Sequence, residues 1–162
     1  MNIFGFPNAR GLNGSTNFAL QDQRAAVEWV AENIKAFGGD PAKITLWGQS
    51  AGAGATDMYL FAWAEDPIVR ASVSSSGVAV RRTLNQDYAG TNFTFVAKAL
   101  GCDFEDAATE LECMRRVAMP RIENFIGQYQ DNQTLVNTSQ PAISFVRQSK
   151  SMDAFSDGQN AD

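Results

Sequence analysis

Gly48-Gln49-Ser50-Ala51-Gly52 sets a serine between two glycines at the end of the run Ile44-Thr45-Leu46-Trp47, with an Ala- and Gly-rich segment behind it. Those residue types suit covalent catalysis on an acyl group. A serine on a tight strand-to-helix turn holds its Oγ clear of the backbone. The N–H of Ala51, in the first turn of the following helix, then points where an oxyanion would form. Side chains two positions either side of the turn would clash, so Gly48 and Gly52 are expected to relieve the crowding, and Gln49 completes the elbow. A chance pentapeptide is the bland alternative, but most chance matches fall in a loop or mid-helix rather than directly after a strand. A serine nucleophile also needs a base, and the chain contains no histidine.

The elements expected to position Ser50 are a strand over 44–47 and a buried helix over about 51–63, small residues first so that it lies close against a sheet. Glu65-Asp66-Pro67 ends that helix, and 71–77 reads as the next strand, closed by Gly77. Upstream, a helix over about 21–36 places Ala26, Val30, Ile34 and Phe37 on an inner face with Trp29 beside them. Arg24, Glu28, Glu32 and Lys35 fall on the outer face. At this spacing Trp29 reads as core rather than as a platform for substrate. Gly38-Gly39 stops the helix and Asp40-Pro41 turns the chain. Asn2-Ile3-Phe4-Gly5-Phe6 reads as a short buried strand closed by Pro7. Beyond Gly77 the chain is helical over 92–100 and 106–117. Glu105 and Asp106 open the second of these and Arg115 and Arg116 close it, which suits the helix dipole.

Composition narrows the function classes. The chain has 162 residues, 44% of them hydrophobic and 19% charged, enough for one soluble domain with a core. A net charge of -5 with no basic stripe argues against nucleic acid or an anionic membrane as partner. No apolar run reaches membrane-spanning length, and no charged n-region with an apolar h-region marks a signal peptide in this chain. Two cysteines without histidine supply no zinc site, so no metal or other cofactor is expected.

A longer pattern surrounds the pentapeptide. Asn17-Phe18-Ala19-Leu20-Gln21-Asp22-Gln23-Arg24, then Glu28-Trp29-Val30, Glu32-Asn33-Ile34 and Phe37-Gly38-Gly39-Asp40-Pro41, lead into Gly48-Gln49-Ser50-Ala51-Gly52-Ala53. This resembles the type-B carboxylesterases, the family of cholinesterases and fungal esterase/lipases, densely over 3–77 and more thinly to about 146. Ala19 stands where the family usually has Gly, and Gln49 where it often has Glu.

The resemblance implies an α/β-hydrolase fold: parallel central strands with flanking helices, here an incomplete sheet over 1–146. Beyond it, 147–162 is polar, lacks an apolar period and reads as a disordered tail. It implies a Ser–His–Glu triad acting on a small-molecule or lipid ester. Ser50 attacks, and Ala51 N–H holds the oxyanion with amides from a glycine-rich loop expected upstream. The histidine and the acid are expected downstream, since no Asp or Glu here matches the acid's motif. Ser76, at the end of its strand, would lie behind the nucleophile, although a plain structural hydroxyl reads equally well. The resemblance pairs Cys102 with Cys113, closing a loop worth about 3 kcal/mol. It sets 44–47 parallel to 71–75, with the 2–6 strand two spacings away at roughly 9–10 Å.

Sequons at Asn13, Asn92, Asn132 and Asn137, taken with that disulfide, favour a secreted parent protein. The chain alone is expected to be inactive for want of a base. A truncated or non-catalytic cholinesterase-like interaction module is the opposing reading. A thioesterase or peptidase would fit Ser50 but not the runs around Asn17 and Phe37.

Overall fold

The computed structural model describes residues 2–14, 16–79 and 90–136. The described residues form two compact units, one of 17–79 and one of 2–14, 16 and 90–136. The expected tail over 147–162 lies outside the described residues.

The 17–79 unit is built on a strand–helix–strand core. β1 (Thr45–Gln49) and β2 (Ala71–Ser75) pair in parallel, in the register Thr45↔Ala71 to Gln49↔Ser75. The Arg70 N–H donates to the Ile44 carbonyl at 2.8 Å and extends the ladder. Parallel strands need a crossover, and α3 (Ala51–Ala62) supplies it. Its buried residues Ala53, Thr56 and Tyr59 recur at helical spacing, and the small first turn lets the helix lie against the strands. Helices around a two-stranded parallel sheet make this a partial α/β fold, with β1 and β2 paired in parallel as expected.

Ahead of β1, α2 (Phe18–Asn33) runs into a 3-10 turn over Ile34–Phe37. Its inward face is not the one hydropathy suggests. Ala19, Leu20 and Val27 are buried, whereas Ala26 is exposed. Trp29 is 57% exposed and Phe37 73%, their rings 6.4 Å apart on the outer surface, so neither is core. The physical cause is Arg24, whose side chain is only 13% exposed. It turns inward, donates to Glu28 at 2.6 Å and to Asp66 Oδ2 at 2.7 Å, and stands 5.6 Å over the Trp63 ring. It also donates to the Tyr59 hydroxyl at 3.3 Å, which itself donates to the Pro67 carbonyl at 2.9 Å. A satisfied inward charge rotates the buried stripe by about one residue.

The second unit packs α1 (Asn2–Gly5), α4 (Thr91–Ala99), α5 (Ala107–Arg115) and α6 (Met119–Val136). The strand expected over 2–6 is therefore one helical turn. No strand lies beside it among the described residues, so four residues close hydrogen bonds locally instead, and Ile3 is buried with Phe93 and Val96. The expected two-strand spacing has no counterpart. Helix α6 was not anticipated, although buried Ile122 and Ile126 repeat at helical spacing with Phe125 and Tyr129. Pro120 sits in its first turn, where a missing N–H costs nothing.

At α5, Asp106 caps the helix by accepting from the Thr109 N–H at 2.8 Å. The Thr109 hydroxyl, and then its N–H, hold the Asp106 carboxyl below the usual aspartate range. Glu110, fully buried, accepts from Arg10 at 3.3 Å and from the Thr94 hydroxyl at 3.0 Å. Cys102 and Cys113 form a disulfide with Cα atoms 5.7 Å apart, tying the end of α4 to α5. No helix among the described residues is long and apolar enough to cross a membrane.

Two outcomes follow for stability. Replacing both cysteines by serine lowers the stability of the second unit by about 3 kcal/mol, measured as a shift of the urea midpoint in circular dichroism. In the 17–79 unit, burial raises the Tyr59 hydroxyl above its ordinary pKa, against the opposing hydrogen bond and charge of Arg24. A raised folded pKa contributes stability that is complete below the unfolded value of about 10 and is lost as pH climbs through the folded value. The tryptophan-fluorescence urea midpoint therefore falls above about pH 10, and Tyr59→Phe flattens that fall.

Candidate active site

Between the last residue of β1 and the first of α3 the chain has one residue, Ser50, in which to reverse. It does so at φ 53° and ψ -116°, a left-handed conformation that glycine enters freely and serine does not. Hydrogen bonds fix both of its peptide groups. Its N–H donates to the Ser75 carbonyl at 2.9 Å, and its own carbonyl accepts from Gly54 at 3.1 Å. The serine is exposed, and its Oγ has no hydrogen-bond partner among the described residues. Ala51 opens α3 beside it, so its N–H is one of the first-turn amides without an intrahelical acceptor. The positive end of the helix dipole reinforces that site for negative charge.

The glycines divide differently from the sequence expectation. A Cβ on Gly48 would lie 2.0 Å from the Gly52 carbonyl oxygen, so the strand and the helix start approach to backbone contact there. A Cβ on Gly52 would meet nothing within 4 Å. The crowding is one-sided, because the Gly52 side-chain direction leads away from the turn. The second close approach comes from Gly77, where a Cβ would lie 2.4 Å from the Ser50 carbonyl oxygen. By sequence Gly77 is only the end of a strand. The contact comes from the segment after β2, distant in sequence from Ser50, and leaves no local signal.

Gln49 is the exposed last residue of β1, opposite Ser75. Ser76 is exposed with φ 58°, directly after Ser75. Its hydroxyl has no hydrogen bond among the described residues, and Ser75 Oγ accepts from the Trp47 ring N–H at 3.1 Å. Ser50, Ala51, Gly48, Gln49 and Ser76 thus gather at one end of the sheet. The sequon asparagines among the described residues lie on the other unit. Asn13 is exposed, Asn92 is in the first turn of α4, Asn132 falls within α6, and Asn137 lies outside the described residues. The Thr94 of the Asn92 sequon spends its hydroxyl on Glu110. Among the described residues no group of His, Cys, Asp and Glu is placed to hold a metal ion.

Such a turn can present a hydroxyl and an amide donor to one carbonyl group. The family model described as "Carboxylesterase family" matches residues 1–152. The chain belongs to the carboxylesterase family. It is 49% identical over 146 residues to the chlorogenic acid esterase of Aspergillus niger, covering 90% of this chain and 27% of that protein. It is 45% identical to secreted lipase 5 of Gibberella zeae, over 78% of this chain and 24% of that protein. It is also 35% identical to the inactive carboxylesterase-like protein VdtD of Byssochlamys spectabilis, over 76% of this chain and 22% of that protein. The chain therefore spans about a quarter of the length of these relatives.

In this carboxylesterase segment the two glycines of the pentapeptide should respond oppositely to alanine. Gly48→Ala forces backbone apart and costs about 1–3 kcal/mol or more. Gly52→Ala, in open space on a helix, is neutral or stabilising by up to about 1 kcal/mol. Urea denaturation followed by tryptophan fluorescence measures both.

Proposed function

We propose that this chain is the serine-bearing part of a carboxylic ester hydrolase that works through an acyl-enzyme. The observation that carries the reading is the left-handed Ser50 between β1 and α3, with its Oγ unengaged and exposed. Ser50 attacks the ester carbonyl, and the Ala51 N–H stabilises the oxyanion of the tetrahedral intermediate. The alcohol leaves, and water then releases the acid and restores the serine. The proton of Ser50 must pass to a base. Imidazole is the usual one, and the chain has none. The base is assigned to residues other than these 162, in keeping with a match to about a quarter of each relative.

The substrate class is a small-molecule or lipid ester, a reading supported by relatives named chlorogenic acid esterase and secreted lipase. The names of the secreted relatives, the Cys102–Cys113 disulfide and the sequons together favour a secreted glycoprotein as the parent. A relative named inactive favours one other reading, a non-catalytic carboxylesterase-like protein. The retained serine weighs against it.

The 162-residue chain alone should show no Ser50-dependent turnover of p-nitrophenyl butyrate, its rate matching that of Ser50→Ala. Expressed together with the sequence that flanks it in the gene, it should hydrolyse the same ester. Ser50→Ala should then cost on the order of 10⁶ in kcat. Turnover by the flanked protein that survives this substitution would remove Ser50 from the mechanism. No turnover at all would favour the non-catalytic reading.

A further inference from the structure

Ser50 caps α3, and Ala53, Gly54 and Asp57 follow it at i+3, i+4 and i+7, stacked along one stripe of the helix. The end of β2 and the residues after it lie along that stripe. The Ser74 hydroxyl donates to the Ala53 carbonyl at 3.3 Å, and the Ser75 carbonyl takes the Ser50 N–H. Gly77 rests on the Ser50 carbonyl, and a Cβ there would also stand 3.1 Å from Ala53 Cβ. The Val78 carbonyl is 3.9 Å from where Gly54 would carry a Cβ. Finally the buried Ala79 N–H donates to Asp57 Oδ2 at 2.7 Å. Asp57 is the only charged group in this series.

We propose that Asp57 is a positioning residue for Ser50, acting through Ala79 and Gly77. The inference rests on the reading of Ser50 as the nucleophile. Ser50 can leave its left-handed conformation only by rotating the peptide groups on either side of it. On the carbonyl side, Gly77 occupies the space that rotation needs. Gly77 stays there because the segment carrying it is held at both ends. The β1–β2 ladder holds one end, and the charge-assisted bond from Ala79 to Asp57 holds the other. Without that carboxylate the buried Ala79 N–H loses its charged acceptor, and the hold on the segment that carries Gly77 weakens. The turn then relaxes although none of its own residues has changed. Ser76, at φ 58° within the same segment, is set in place by the same bond.

The test is residue-resolved amide exchange by NMR on the whole chain, which needs no esterase activity. A failure of the esterase reading is thus separate from a failure of this one. Asp57→Leu removes the acceptor at similar size, and Asp57→Asn keeps one. With Asp57→Leu, exchange at Ala79, Ser50 and Gly54 should quicken by about tenfold or more. The amides of Trp63 and Arg70, bonded to Tyr59 and Ile44, should stay within about twofold of the native protein, and Asp57→Asn within about threefold at every site. Acceleration confined to Ala79 would overturn the proposal, as would equal acceleration at Trp63 and Arg70. Should Asp57→Leu not fold, Asp57→Ser, with a shorter and neutral side chain, is read at the same amides. Its predicted order is Asn slower than Ser at Ser50 and Gly54, and equal rates in the two variants would overturn it.

Discussion

The turn at Ser50 governs the 17–79 unit, in which Ile68 and Ser76 also hold positive φ. Ser50 at φ 53° costs on the order of 1–3 kcal/mol relative to relaxed backbone. It persists because its surroundings leave no alternative. β1 must end and α3 must begin within one residue if the helix is to cross back over the strands. The Gly48–Gly52 contact closes the turn from the strand side, and Gly77 closes it from the segment after β2. The ladder bond from Ser50 to Ser75 makes the turn part of the sheet. The same geometry that strains the backbone frees the hydroxyl and aims an amide beside it.

Each unit also contains a charge turned inward and satisfied. In the 17–79 unit, burial opposes the Arg24 charge, yet hydrogen bonds with Glu28, Asp66 and Tyr59 outweigh it and raise its pKa. Arg24 thereby joins α2, α3 and the approach to β2 at the end of α3 remote from Ser50. In the other unit Glu110 does similar work with Arg10 and Thr94, gathering α4, α5 and the loop after α1. An inward charge without such partners would cost several kcal/mol. With them it fixes which helix faces meet.

Parallel strands are ordinarily covered on both faces. Here α3 covers one face of the β1–β2 pair. On the other, Trp47 is 73% exposed and Val73, its register partner, 47%. The outer edge of β1 has no strand beside it among the described residues. Apolar side chains on an uncapped parallel pair fit a segment that matches about a quarter of each relative's length.

The sequence alone determined the features that depend on neighbours along the chain. The serine turn was legible because strand, Gly-x-Ser-x-Gly and small-residue helix follow one another directly, and β1, α3 and β2 fall within about two residues of their expected bounds. Helices α4 and α5 were legible as helical segments, α5 also from the acidic residues at its start and the arginines at its end. Tertiary structure decided whatever depended on contacts distant in sequence. Trp29 and Phe37 were assigned to the core because hydropathy could not show that Arg24 would find Tyr59, Asp66 and Trp63 and turn inward. Residues 2–6 looked like a strand, but a strand needs a neighbour and one helical turn does not. Gly48 and Gly77, not Gly52, are the glycines on which the turn closes, because the helix start meets the strand at Gly48 and the segment after β2 meets the Ser50 carbonyl at Gly77. Local order is written in short spacings, whereas the partner across a sheet or a buried charge is fixed only when the chain has folded.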